Sequence, residues 1–335
     1  MKAILSTRPG GPSTLSLNDV PEPVPGPGQV RVRVASCAIN YPDVLIIEDR
    51  YQDRPPRPFV PGSEIAGLID AIGPGVTGLQ LGQRVFGATG NRGGLAEKVL
   101  LPADDCHIAP PELPLDEASG LLLTYATALY GLKNLARLRP DDCLLVLGAA
   151  GGVGLAAVEL GKALGAQVVA VASTPEKLEV ARRRGADAGV VCPRGPLDRD
   201  AARAFKDQLK AACPPGGANV ICDPVGGDYA EPALRVIAQG GRYLVIGFTA
   251  GIPKIPLNLV LLKACQLIGV LWGPFTRDES AAHRDNVQAL LTFYRDGKIK
   301  PLISERFPLE RSAEALARLA ERRAVGKIVV TMGAS

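Results

Sequence analysis

The sequence predicts an α/β protein in which a mostly-β N-terminal region precedes a doubly wound parallel sheet. Three observations carry this. Gln29–Ala35 alternates apolar and charged residues with the period of a half-buried strand. Leu144–Gly154 reads as a buried strand, a tight glycine turn and the start of a helix. Strands and helices then alternate to about Pro256, as in parallel strands joined by crossover helices.

Taken in order, Met1–Pro9 holds too short an apolar stretch for a signal peptide and reads as a first strand. The Pro- and Gly-rich run 21–28 is loop, and Gln29–Ala35 follows it. Further strands are expected at Glu64–Ile72, Arg84–Ala88 and Leu95–Leu101. Asp116–Leu138, rich in Ala and Leu, is expected to be helical. After the glycine turn, strands are expected at Gln167–Ala172, Ala188–Cys192, Ala218–Asp223, Gly241–Gly247 and Gln266–Leu271. Asp285–Gly297 and Leu309–Arg323 have helical amphipathic spacing, and Gly326–Val330 closes as a strand.

Composition bounds the function. The 335 residues are enough for two domains, and 47% hydrophobic with 21% charged residues is typical of a globular chain. The balance of 38 basic and 34 acidic residues, net +4, is too mild to argue for nucleic acid or a membrane surface. No apolar run reaches eighteen residues, so a cytoplasmic protein without a membrane partner is expected. The seven cysteines form no C-x-x-C pair and their number is odd, which favours reduced thiols over disulfides or a zinc cluster. His107 and His283 are the only histidines and neither lies near a candidate nucleophile, which argues against a His-dependent triad.

The glycine turn carries the chemistry. Such a turn brings backbone N–H groups and a helix N-terminus to a pyrophosphate. In the G-x-G-x-x-G spacing the first position is Ala149, with Gly151 and Gly154 at the other two. Ala149, Ala150, Gly151, Gly152, Val153 and Gly154 are therefore the candidate pyrophosphate-binding residues. Where an acidic residue would take a ribose 2′-hydroxyl, the chain has Ser173, followed by Lys177. A neutral residue and a nearby cation suit a 2′-phosphate, so the cofactor expected is NADPH. Against this, Thr174-Pro175-Glu176 also reads as an N-cap with Pro early in a helix, which would leave Lys177 a first-turn residue. Lys327 is a second phosphate candidate. Gly247 and Phe248, at the end of a strand, are expected to contact the nicotinamide half.

With these elements placed, the chain resembles the zinc-free quinone oxidoreductase branch of the medium-chain dehydrogenases/reductases over essentially its whole length. The resemblance rests on Asn40-Tyr41-Pro42-Asp43, Pro58–Gly67, Ala149–Gly154, Cys222–Gly227, Gly240-Gly241-Arg242 and Gly326–Val329. It implies a GroES-like catalytic domain over 1–120, completed by 258–335, and a Rossmann NADP(H)-binding domain over 121–257. It also implies an active site in the cleft where they meet, and a homodimer paired through an edge strand near Gln266–Leu271. Many relatives carry a tyrosine near the adenine where this chain has Cys192, which weakens the NADPH expectation.

The resemblance also addresses the metal. Zinc alcohol dehydrogenases have a Gly-His-Glu run where this chain has Gly62-Ser63-Glu64, and a cysteine ligand that falls at Asn40. A third thiolate is expected near Leu123 or Thr124 and is absent. Zinc needs three or four N, S or O ligands, so no metal is expected and Glu64 is read as a buried ion-pair partner. Without that Lewis acid, an acceptor that disperses the charge itself is favoured. The leading expectation is hydride transfer from NADPH to a quinone. The alternatives are reduction of conjugated C=C bonds in enones or enoyl-CoA, and a low-turnover NADPH-binding protein with a structural or regulatory role. Tyr51, Asn40 and Tyr41 are the candidate catalytic donors. Trp272, the only tryptophan, is read as lining an acceptor pocket, a dimer contact or the core.

Overall fold

The computed structural model describes residues 1–333. The chain forms two compact units, Met1–Leu123 with Pro301–Ser335, and Thr124–Lys300. The expected return to the first unit at residue 258 is corrected to Pro301. Residues 258–300 stay with the second unit because Gln266–Gly269 pairs in parallel with Ile237–Val245 and extends that unit's sheet.

The first unit is built on a seven-stranded mixed sheet. Its spatial order is Ile303–Pro308, Lys327–Thr331, Gln29–Ala38, Glu64–Ile72, Arg84–Ala88 and His107–Ile108, with Lys98–Pro102 also paired to Gln29–Ala38. Gln29–Ala38 behaves as its alternation predicts. Val30, Val32 and Val34 are buried, while Arg31 reaches out to Asp70 at 2.8 Å. Each fully buried aliphatic side chain of this kind contributes about 1.5–3 kcal/mol. The C-terminal helix Ser312–Ala320 adds Ala315 and Leu316 to the same core. Its preceding turn, Leu309–Arg311, is 3₁₀ rather than α.

The second unit holds a six-stranded sheet that is parallel throughout. Its order is Ala188–Val191, Gln167–Ala172, Cys143–Val146, Ala218–Asp223, Ile237–Val245 and Gln266–Gly269. The central strand Cys143–Val146 is buried along its whole length, so it reads as a continuous apolar run. The strand Cys143–Val146 is followed in sequence by the neighbour on one side and later by the neighbour on the other. A topological switch point therefore lies at its carboxyl end, beside Ala218–Asp223.

The expected helix over Asp116–Leu138 is not continuous. An α-helical turn at Leu115–Ser119 gives way to π-helical segments at Leu122–Ala126 and Tyr130–Leu135. The second is closed by the i→i+5 bond from Ala136 N–H to Gly131 O at 2.8 Å. No helix among the described residues is long and apolar enough to cross a membrane.

Candidate functional site

The glycine turn occupies the switch point of the parallel sheet. Leu147 N–H donates to Cys222 O and Ala149 N–H to Val171 O, so the chain leaving the central strand is pinned to both neighbouring strands. The left-handed residue of the turn is Gly148, at φ +60°, one position before the residue that the motif spacing points to. Ala149 is accommodated because the positive φ falls on Gly148. The helix Gly152–Ala163 starts from Gly151, and its first i→i−4 bond runs from Leu155 N–H to Gly151 O at 2.8 Å. The N–H groups of Gly152, Val153 and Gly154 precede that bond and face the dipole-positive end of the helix. A Cβ at Gly154 would fall 2.1 Å from Gly148 O, so only glycine lets the helix backbone pack this closely on the turn.

The candidate 2′-phosphate residues follow the end of the strand Gln167–Ala172. Ser173 is exposed directly after Gln167–Ala172. Lys177 lies in the first turn of the helix Pro175–Arg183, whose N-cap Thr174 accepts from Lys177 N–H at 3.3 Å. Lys177 is thus a first-turn residue of that helix, a position that also places it close after the strand end. Cys192 N–H donates to Ala172 O, which brings Cys192 next to Ser173. Burial lowers the pKa of the Lys177 ammonium, an effect that the Cys192 thiol partly offsets.

On the other side of the switch point, Asp223 organises two loops. Its Oδ1 accepts from Val225 and Gly226 N–H, both at 2.8 Å, and its Oδ2 accepts from the Tyr243 hydroxyl at 2.6 Å. Burial pushes the Asp223 carboxyl up against the opposing pull of these donors. Gly247 packs over Pro224, and Phe248 stands 44% exposed in the same loop. Asp223 was legible only as part of a motif. Glu159 gave no sequence signal. It sits buried on the glycine helix and accepts from Tyr125 at 2.6 Å, Arg184 at 2.7 Å and the Lys300 N–H at 3.1 Å.

The first unit holds a closed polar cluster. Lys327 Nζ, 4% exposed, donates to Asn40 Oδ1 at 2.6 Å, Glu64 Oε1 at 2.8 Å and Ile39 O at 3.1 Å. All three ammonium donors are thereby spent on internal acceptors. Lys327 is corrected from a phosphate candidate to the partner of Glu64. Asn40 is equally committed, with Nδ2 donating to Glu64 Oε1 at 2.9 Å and to Ala38 O at 3.2 Å. It is corrected from a proton or oxyanion donor to a residue that braces the ion pair. Glu64 Oε2 accepts from Leu123 N–H at 2.9 Å. Asp43 accepts from Asn40 N–H at 2.7 Å and from the Ser63 hydroxyl, and burial raises its pKa to about 6.

The remaining candidates divide. Tyr41 opens the short helix Tyr41–Ile47 and is partly exposed. Tyr51 is partly buried against the core of the first unit, where burial, then Asp53 and Asp43, raise its phenol pKa. Trp272, in the second unit, meets His283 edge-to-face at 5.4 Å between ring centroids.

Comparison with known proteins follows this geometry. Residues 26–111 match the alcohol dehydrogenase GroES-like domain and residues 152–288 the zinc-binding dehydrogenase domain. A quinone oxidoreductase-like protein 2 homolog from Nematostella vectensis is 39% identical over 91% of this chain and 82% of its own length. The chain belongs to the quinone oxidoreductase family of medium-chain dehydrogenases/reductases. Another relative, a quinone oxidoreductase from Rattus norvegicus, is 30% identical over 94% of this chain and 92% of its own. A mycobacterial protein solved in complex with NADPH superposes with a TM-score of 0.90 at 28% identity, covering 99% of each chain.

As a quinone oxidoreductase family member, the chain is an oxidoreductase with a nicotinamide-cofactor fold, and its glycine cradle fits a dinucleotide. Zinc, which the matched domain's description implies, does not fit the residues present. Asn40 and Ser63 offer neither imidazole nor thiolate, and Glu64 already faces an ammonium at 2.8 Å. No three His, Cys, Asp or Glu side chains among the described residues are grouped to hold a metal.

Proposed function

We propose that this chain transfers a hydride from NADPH to a quinone without a metal. The observation that carries the reading is the Lys327–Glu64–Asn40 cluster. Asn40 and Glu64, which the resemblance places among the zinc-binding positions of the alcohol dehydrogenases, are satisfied by Lys327 and by each other. They offer no Lewis acid to a simple carbonyl, which favours an acceptor whose product anion is stabilised by its own conjugation. The names of the relatives support the quinone, and the NADPH-bound neighbour supports the cofactor.

The residues would divide the work as follows. The N–H groups of Gly152, Val153 and Gly154 hold the pyrophosphate, and Ser173 with Lys177 takes the 2′-phosphate. A partly desolvated ammonium gains more from a phosphate dianion than a hydrated one would. Gly247 and Phe248 meet the nicotinamide half. When bound, the reduced nicotinamide supplies the hydride. The Tyr51 phenol is protonated at neutral pH, as any phenol is, and burial raises its pKa further, so its hydroxyl can donate to the developing oxyanion. One such donor contributes about 2.7–4 kcal/mol in comparable sites. Tyr41 is the second candidate donor.

The protein would act as a homodimer. Gln266–Gly269 ends the six-stranded sheet, and Leu257, Leu261 and Leu262 on the adjoining helix are 71%, 80% and 68% exposed.

The test follows NADPH and NADH oxidation with quinones, enones and enoyl-CoA thioesters. Fastest turnover with NADPH and a quinone is expected. Faster reduction of an enone or enoyl-CoA than of any quinone would reassign the acceptor. Tight NADPH binding without turnover would make the chain a binding protein.

A further inference from the structure

Away from the glycine turn, the second unit has a concave pocket of ≈ 420 Å³ lined by Asn134, Arg137, Arg139, Arg242 and Gln266. It lies at the opposite edge of the parallel sheet from the dinucleotide residues. Gln266 opens its strand and pairs with Arg242, which pairs in turn with Val220 and so lies level with Leu144 near the start of the central strand, whereas the glycine turn and Asp223 stand at carboxyl ends. The pocket is therefore separate from the cofactor site.

Its charge is unbalanced. Arg242 is fixed by Asp142 at 2.7 Å, and the same carboxylate oxygen accepts from Arg139 N–H at 3.0 Å. Arg137 and Arg139 have no ion-pair partner among the described residues. Asn134 Oδ1 is occupied by Asn286 Nδ2 at 2.8 Å, which leaves its own NH₂ group as the available end. Guanidinium forks and amide N–H groups are the donors that match phosphate oxygens.

The backbone fixes Arg137 in place. Arg137 has φ +49°, a left-handed conformation disfavoured for any residue with a Cβ. Its neighbours hold it there through Ala136 N–H to Gly131 O and Leu138 N–H to Leu132 O, both at 2.8 Å. The chain places an arginine where glycine or asparagine would fit with less strain. A left-handed residue directly after the C-cap is a common way to end a helix, here the segment Tyr130–Leu135, and it fixes the direction in which Arg137 leaves the backbone.

We propose that the Arg137–Arg139–Arg242 pocket binds a small phosphate-bearing anion at a site distinct from the cofactor's. The test titrates inorganic pyrophosphate calorimetrically into protein already saturated with NADPH, at constant ionic strength. One site per chain is expected, with affinity falling as potassium chloride is raised from 50 to 300 mM. The double variant Arg137→Ala/Arg139→Ala should weaken pyrophosphate at least tenfold and leave NADPH affinity unchanged, with an unaltered melting temperature as evidence of folding. No binding to the NADPH-saturated protein would overturn the proposal. Unchanged pyrophosphate affinity in the double variant would overturn it as well, and citrate binding as tightly as pyrophosphate would overturn the phosphate assignment.

Discussion

At the scale of single residues, the two lysines picked out from the sequence do opposite things. Lys177 stands at a strand end with its ammonium partly desolvated, whereas Lys327 is spent inside the first unit. Replacing Lys177 with Ala should remove a charged contact worth roughly 1.5–3 kcal/mol to bound NADPH. In kcat/KM for NADPH that is about a tenfold to hundredfold loss, with the NADH value nearly unchanged, as steady-state kinetics would show. Replacing Lys327 with Met leaves Glu64 buried without its cation, at a cost of roughly 3–5 kcal/mol in urea unfolding. Adding Glu64→Gln to that variant should restore part of the loss. Asp43 sets a pH dependence. Its folded pKa of about 6 lies above the ordinary 3.8, so the native state binds more protons between those values. Stability therefore falls as pH rises from about 4 to about 6, by up to ~3 kcal/mol, and the loss is complete above that range. Asp43→Asn should flatten this leg. The wild-type advantage over the variant, measured by denaturant unfolding at several pH values, should shrink as pH rises.

At the scale of elements, the glycine turn was legible because strand, turn and helix each leave a separate mark in sequence. Its critical contact is the approach of Gly154 to Gly148 O, which spacing implies only indirectly. Gly154→Ala should push the helix Gly152–Ala163 off the turn, destabilise the protein by about 1–3 kcal/mol and weaken dinucleotide binding. Thermal unfolding and a fluorescence titration with NADPH would read the two effects. Most expected strands also match their alternation or apolar runs, although Leu95–Leu101 forms as Lys98–Pro102 and Gly241–Gly247 as Ile237–Val245, and the strands Ser16–Asp19 and Ile303–Pro308 were not expected. The stretch after Leu115 does not match, because alanine- and leucine-rich composition fits α- and π-helical turns alike. In the second π-helical segment, Gly131 lies close against Leu244 and Val270.

At the scale of the whole molecule, the exposed leucines beside the edge strand make the oligomeric state testable. Light scattering should report a dimer, and Leu261→Glu/Leu262→Glu should shift it to a monomer, since two buried carboxylates would oppose association. By itself, the sequence determined the α/β class, the dinucleotide turn and the unsuitability of positions 40 and 63 for zinc. The first two rest on residue type and short-range spacing, and the third on the resemblance to the zinc alcohol dehydrogenases. Only the tertiary structure decided that Lys327 and Asn40 serve Glu64, because the partners lie 263 and 24 residues away from it. The same holds for the return of the chain at Pro301, which depends on which sheet Gln266–Gly269 joins. Long-range pairing is set by the fold's closure, and no local pattern records it.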